Sequence, residues 1–270
     1  MENISVIIPM YNASRTIERC LNSVAGQTYK GIYEIIVIND GSKDDSLLIV
    51  EAFIKKHKSS NIKIIDKENG GVSSARNAGM KISQGNFIAF LDSDDEWLPK
   101  KLSKQFEVFE NDPDVALVGT TINDMPFKRF FLKKISEVTE ITLKNLLFKN
   151  FFQPSTVLLK RELLNTVGFF NEKQRYAEDG NYFMRIAFKH KCVLLNDSLL
   201  NFGDGKRGFG SSGLSANIKE MEKGELKNLI YAHRNLNVNF LLFGIAVVFS
   251  VLKYIRRIII VQIEKKFFPK

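Results

Sequence analysis

The chain reads as an α/β protein built on a mostly parallel sheet flanked by helices. Two observations predict this. Through residues 1–121 short apolar runs alternate with stretches of helical period. Polar, acid-rich clusters follow most of the runs, where an open parallel sheet places its ligands. At 270 residues and 44% hydrophobic, the chain can bury one large core with an appendage.

The first apolar run, Ile4 to Pro9, is a strand. Ser14 can cap a helix that carries Ile17, Cys20, Leu21 and Val24 at i, i+3, i+4 and i+7. Strand Ile35 to Ile38, a helix over about 45–57, strand Ile62 to Ile65, a helix from near Ser73 and strand Phe87 to Leu91 follow. Pro99 suits the first turn of a helix with Leu102, Phe106 and Phe109 on one face; Asp112-Pro113 ends it and Val115 to Thr121 resumes as strand. The basic-aromatic stretch 127–134 has neither period, so 122–154 is expected as loop and short helix. Then come strand Thr156 to Leu159, a short helix, a loop through Tyr176, a helix after Glu178-Asp179 and strand Val193 to Leu195. Five glycines between Gly203 and Gly213 predict a mobile loop. The organisation expected is a nucleotide-binding half over 1–121, an acceptor and catalytic half of the same domain over 122–215, and a helical tail over 216–270.

Chemistry concentrates at the strand exits. Strand one runs out into Pro9-Met10-Tyr11-Asn12, strand two into Asn39-Asp40-Gly41-Ser42, and strand four into Asp92-Ser93-Asp94-Asp95. Three carboxylates within four residues repel one another unless a cation joins them, and Mg2+ or Mn2+ takes one or two protein carboxylates and completes its shell from water and phosphates. Asp40, in a turn tightened by Gly41, can accept from a base edge, and Tyr11 offers a face for stacking. Arg76 can fork onto phosphate oxygens. Neither GxGxxG at the first exit nor GxxxxGK[ST] occurs, which disfavours a dinucleotide site and a P-loop.

The 39 Lys and Arg exceed the 30 Asp and Glu by nine, favouring an anionic partner. Nucleic acid is not expected as that partner, because acids clustered at three strand ends would repel its phosphates. A nucleotidyltransferase would use similar aspartates but should carry a triphosphate loop, which is absent; a scaffold with a dead catalytic domain is at odds with intact acidic motifs. Cys20 and Cys192 show no disulfide framework or zinc spacing. The amino terminus lacks a secretory n-region, so the catalytic part is expected on the cytoplasmic side.

Together Ser5-Val6-Ile7-Ile8-Pro9-Met10-Tyr11-Asn12, Asn39-Asp40-Gly41-Ser42, the string Gly70 to Gly79, Asp92-Ser93-Asp94-Asp95 and Glu178-Asp179 resemble the family 2 inverting glycosyltransferases. The resemblance implies the glycosyltransferase-A fold, a Rossmann-like, mostly parallel sheet flanked by helices. It implies a nucleotide-sugar donor, with a UDP-sugar expected, held by Pro9, Tyr11, Asp40 and Arg76. Asp92 would lie against the ribose, Asp94 would ligate Mn2+ or Mg2+ as in a DXD motif, and Asp179 would be the catalytic base. Asn39 departs from a pattern in which many members carry Asp, and no QxxRW string is present, which argues for transfer of a single sugar. Trp97 and Arg207 are acceptor-side candidates.

In the tail, Phe240 to Leu252 is uncharged and Lys253, Arg256 and Arg257 follow. Thirteen residues are too few to span a bilayer, which takes about 20. The pattern suits a helix lying at an anionic interface, its cations opposite Ile255, Ile258 and Ile259. The pattern leads to the expectation of a peripheral enzyme on the cytoplasmic face of the cell membrane, and the family resemblance implies a lipid-linked glycan acceptor in cell-surface polysaccharide biosynthesis.

Overall fold

The structure, a computed structural model, describes residues 3–267 apart from 30, 32, 58–60, 124, 132, 204–208, 211 and 212. The parallel core begins with β1 (Ile4–Met10), α1 (Ile17–Ala25), β2 (Tyr33–Asp40), α2 (Ser46–Lys56), β3 (Ile62–Lys67), α3 (Val72–Ile82) and β4 (Phe87–Phe90). The short strand β5 (Glu96–Trp97), α4 (Lys101–Asn111) and β6 (Val115–Thr121) follow. β1 lies between β2 and β4, parallel to both, with Pro9 opposite Ile38 and Ile7 opposite Phe90. Alternation at period two sends Ile7, Ile36, Ile38 and Phe90 to a core under α3, and Val6, Ile8, Ile35 and Val37 to a core under α1, α2 and α4. The predicted stripe Ile17, Cys20, Leu21 and Val24 is buried, although the helix begins at Ile17 and Ser14 does not cap it. The Ser14 N–H instead donates to Asp44 across to the β2 exit.

The aperiodic region resolves into short pieces: a two-stranded ribbon, β7 (Arg129–Phe130) with β8 (Lys133–Lys134), then β9 (Val138–Glu140) and α5 (Leu143–Leu146). Strands of two or three residues cannot display a period, which is why the sequence showed none. A 3-10 turn over Pro154–Thr156 leads into β10 (Leu158–Lys160), so the strand expected at Thr156 to Leu159 starts two residues later. β10 runs antiparallel to both neighbours, β4 and β6. After α6 (Leu163–Thr166) and α7 (Glu178–Lys189), β11 (Lys191–Ser198) pairs parallel to β6 and antiparallel to β9, and β12 (Leu200–Asn201) pairs with β5. The eight-stranded order is β3-β2-β1-β4-β10-β6-β11-β9. Cys20 and Cys192 are both free and buried.

The tail is two helices, α8 (Ile218–Asn235) and α9 (Phe240–Phe267). α9 packs along α8, burying Ala246 and Ser250. Ser250 Oγ donates to Glu222 at 2.9 Å, and Lys253 and Arg257 both reach Glu225, at 3.1 and 2.5 Å. Two of the three cations expected at an interface are therefore spent inside the fold, because a half-buried Glu225 draws them; Arg256 is exposed. The outer face carries Leu241, Ile245, Val248, Leu252, Ile255, Ile259 and Ile263, all exposed, at steps of three and four. Among the described residues no helix is long and apolar enough to cross a membrane.

Candidate active site

A cleft of about 1130 Å³ opens at the carboxyl ends of β1, β2 and β4. Its lining includes Pro9, Tyr11, Asp40, Asp92 and Asp94, five of the seven residues singled out from sequence. Arg76 and Asp179 are not part of that lining.

Each element delivers its residue for a local reason. β1 ends at Met10, and Asn12 adopts φ 49, a left-handed turn that leaves Tyr11 53% exposed on the cleft wall. The turn is pinned to the β2 exit: the Asn12 N–H donates to Ser42 and the Lys43 N–H donates back to the Asn12 side chain at 2.8 Å. Asp40 is the last residue of β2 and is buried. Its carboxylate accepts from the N–H groups of Gly70 and Gly71, at 2.9 and 2.8 Å, and from Lys67 at 2.7 Å. Asp40 thus braces the turn into α3, where Gly71 sits at φ +85, and a base edge would have to share it.

The acidic cluster divides its charge. Asp92 Oδ1 accepts from Arg76 at 2.7 Å. Asp95 turns inward and accepts from the Gly203 N–H at 2.9 Å. Burial, and then the neighbouring Asp92, push the Asp95 carboxyl up to about 8, which favours its neutral form. The mutual repulsion expected from sequence is relieved in two ways before any metal is considered. Asp92 and Asp94 line the cleft. These are hard oxygen donors of the number Mg2+ or Mn2+ takes from protein when phosphates complete the shell. No group of three or more metal-ligating side chains occurs among the described residues.

Arg76 is 3% exposed, and its guanidinium bridges Asp92 and Glu178, the latter at 3.1 Å, with Phe170 against its face. A phosphate fork is therefore not what this side chain presents; it ties the acidic loop after β4 to the first turn of α7. Burial and Asp179 push the Glu178 carboxyl up to about 7 despite Arg76. Asp179 follows at once. It accepts from the Asn150 amide at 3.0 Å, and burial raises its pKa while the Gly180 N–H, Arg76 and Asn150 pull it down. A raised carboxylate of this kind is suited to take a proton.

Sequence reasoning missed three features. Arg15 and Arg175 are exposed cations on the cleft lining. Asn77, within the string Gly70 to Gly79, clamps the loop before α7 by bonding both main-chain groups of Phe170 and the Glu172 side chain. Asn150 lies in the aperiodic region, where nothing in the sequence marked it. Trp97, an acceptor-side candidate, is 3% exposed, donates to the Ser155 carbonyl and has Lys101 over its ring, so it packs the core. Arg207 lies outside the described residues.

The family model described as "Glycosyl transferase family 2" matches residues 5–168. The chain is 29% identical over 213 residues to the glycosyltransferase GlyG of Streptococcus pneumoniae, covering 73% of this chain and 69% of that one. Relatives differ in length, and across four of them, GlyG included, the match covers from 33% to 69% of the relative. Among solved structures, S. aureus TarS 1-349 in complex with UDP-GlcNAc is similar at a TM-score of 0.69 and 23% identity, covering 98% of this chain and 73% of that one. The mannosyltransferase PcManGT of Pyrobaculum calidifontis, in complex with GDP-Man and Mn2+, is similar at 0.70 and 20% identity, covering 92% and 73%. These two likenesses establish the glycosyltransferase-A fold.

Proposed function

The chain belongs to glycosyl transferase family 2, and from that premise we propose that it transfers one sugar from a nucleotide-sugar donor, a UDP-sugar, to a hydroxyl of a lipid-linked glycan, inverting the anomeric centre, in cell-surface polysaccharide biosynthesis. The observation that carries this reading is Arg76. A single buried guanidinium joins Asp92, on the cleft, to the residue preceding Asp179, so donor-side and acceptor-side carboxylates are one assembly. The likeness to a protein solved in complex with UDP-GlcNAc and to one solved in complex with GDP-Man and Mn2+ supports a nucleotide-sugar donor and a divalent cation.

In this reading the base stacks on Tyr11 beside Pro9, with Asp40 holding the floor of its pocket. Asp92, its carboxylate aimed by Arg76, takes the ribose. Asp94 would hold Mn2+ or Mg2+, and when bound the cation would supply positive charge against the negative charge of the departing diphosphate. Arg15 and Arg175 supply fixed positive charge around the same group. Asp179 accepts the proton of the acceptor hydroxyl as its oxygen attacks, and a single displacement inverts configuration. The apolar outer face of α9 supports docking on the cytoplasmic face of the membrane as a peripheral protein, with apolar burial contributing more than the cations. The test is a panel of nucleotide sugars incubated with the full chain and manganese, with and without lipid extract. Release of nucleotide from a UDP-sugar, increased by the extract, is expected; no release from any donor would overturn the reading.

A further inference from the structure

The segment Phe148–Phe152 joins α5 to the turn before β10, and it lies between the C-terminal helix and α7. On the α9 side, Phe249 packs edge-on against Phe148, with ring centroids 5.5 Å apart, and Lys253 Nζ donates to the Phe148 carbonyl at 3.0 Å. Lys149 sits over the Phe127 ring at 3.7 Å. On the α7 side, buried Phe152 meets Phe183 at 5.8 Å. Between these anchors stands Asn150. Its amide nitrogen donates to Asp179 Oδ2 at 3.0 Å, and its own oxygen accepts from the Phe152 N–H at 3.2 Å. That second bond fixes which end of the amide faces the carboxylate, because an N–H donor can be met only by the oxygen.

A carboxylate at the start of a helix turns about its side-chain bonds, yet a proton acceptor has to present one lone pair to a defined point. A donor on Oδ2 restrains rotation of the Asp179 carboxylate about its side-chain bonds. The groups facing Asp179 are Asn150, the Gly180 N–H, Arg76, Glu178 and Asp92. Of these, Asn150 is the neutral side-chain donor, and it is carried by a segment that the tail helix grips.

We propose that Asn150 is a positioning residue for sugar transfer, orienting Asp179, and that α9 holds it in place through Phe148, so the C-terminal helix is a working part of the catalytic half as well as a docking surface. This rests on the reading of Asp179 as the base. In consequence, a partner or surface that displaces α9 from Phe148 lowers turnover without entering the cleft.

The test uses the full chain with Asn150→Ala, Lys253→Met and Asp179→Asn. Aspartate labelled with 13C at the side-chain carboxyl gives a resonance that Asp179→Asn removes, and its titration reports the contact with no substrate present. Asn150→Ala should move that titration upward by about half a unit, since the amide bond favours the charged form. With UDP-GlcNAc and manganese, it should cut UDP release roughly tenfold at unchanged donor KM and unchanged Tm, and shift the acidic limb of the kcat profile the same way. Lys253→Met should move the titration and kcat the same way more weakly; because it also breaks the ion pair with Glu225, the Tm criterion applies to Asn150→Ala alone. An unmoved titration, or a loss of turnover matched by a rise in donor KM or a fall in Tm, would overturn the proposal. Full turnover in Asp179→Asn would instead remove the base assignment, a separate failure.

Discussion

Replacing Arg76 separates two roles that the sequence could not distinguish. A guanidinium that gripped the donor diphosphate would, when shortened to lysine, raise the donor KM and leave the fold alone. The structure instead buries it between Asp92 and Glu178, at 2.7 and 3.1 Å. Removing one partner from a buried ion pair costs about 3–5 kcal/mol, because a charge is left without its counterpart. Glu178, already near neutrality, can protonate and recover part of that, so Arg76→Met should cost about 3 kcal/mol. For a chain of this size that is roughly 6–12 °C in Tm. Arg76→Lys reaches one carboxylate and not both, and should cost about half as much. Turnover should fall in both variants at saturating donor, since the first turn of α7 loses its tie. Differential scanning calorimetry and donor titration on the two variants measure this. A lysine variant that melts within about 1 °C of the parent and shows only a raised donor KM would refute the bracing role.

Asp94→Ala should weaken manganese-dependent UDP binding by more than the roughly 10–100-fold that loss of an outer-shell partner costs, and chelator should silence the parent; calorimetric titration with and without chelator checks both. Asp179→Asn should retain UDP binding and lose about 10² to 10⁴ in kcat, and a loss of binding would place the residue on the donor side. Glu178 gives a pH dependence of known sign. Its folded pKa is raised from 4.5 to about 7, so its stabilising contribution is full below pH 4.5 and is lost as pH rises to about 7. The amount is about 3 kcal/mol, and Glu178→Gln should flatten that slope in urea melts across the window; equal slopes in the two proteins would count against it. A chain ending at Asn235 should lose flotation with anionic vesicles. It should also melt roughly 4–8 °C lower, because Phe243, Ala246 and Val247 no longer pack on the core.

The donor half was legible because its strands are long enough to show period two and its loops carry charge at the strand exits. β6 falls on Val115–Thr121 as expected, and Pro9, Tyr11, Asp40, Asp92 and Asp94 gather in one cleft. What the sequence could not show was commitment of a side chain to an internal partner. Arg76 and Trp97 look like ligands in a string of letters, and become braces once Glu178, 102 residues away from Arg76, and Ser155, 58 away from Trp97, are brought against them. Lys253 and Arg257 changed sides for the same reason, since a helical wheel of α9 cannot know that Glu225 waits on α8. Asn150 was invisible because a neutral amide among phenylalanines carries no pattern of its own.

The antiparallel strand β10 has a consequence for how the chain is made. It is the only link between β4 and β6 in the described sheet, so the first 121 residues leave β4 with an open edge beside Ala89 and Phe87. That edge closes only when residues 158–160 have been synthesised. At about 5–20 residues per second the interval lasts a few seconds, during which an unpaired strand is available to other chains. The amino-terminal half is therefore not a module that can finish folding first, and an exchange of acceptor-side segments between relatives has to carry a β10 able to seal the donor side.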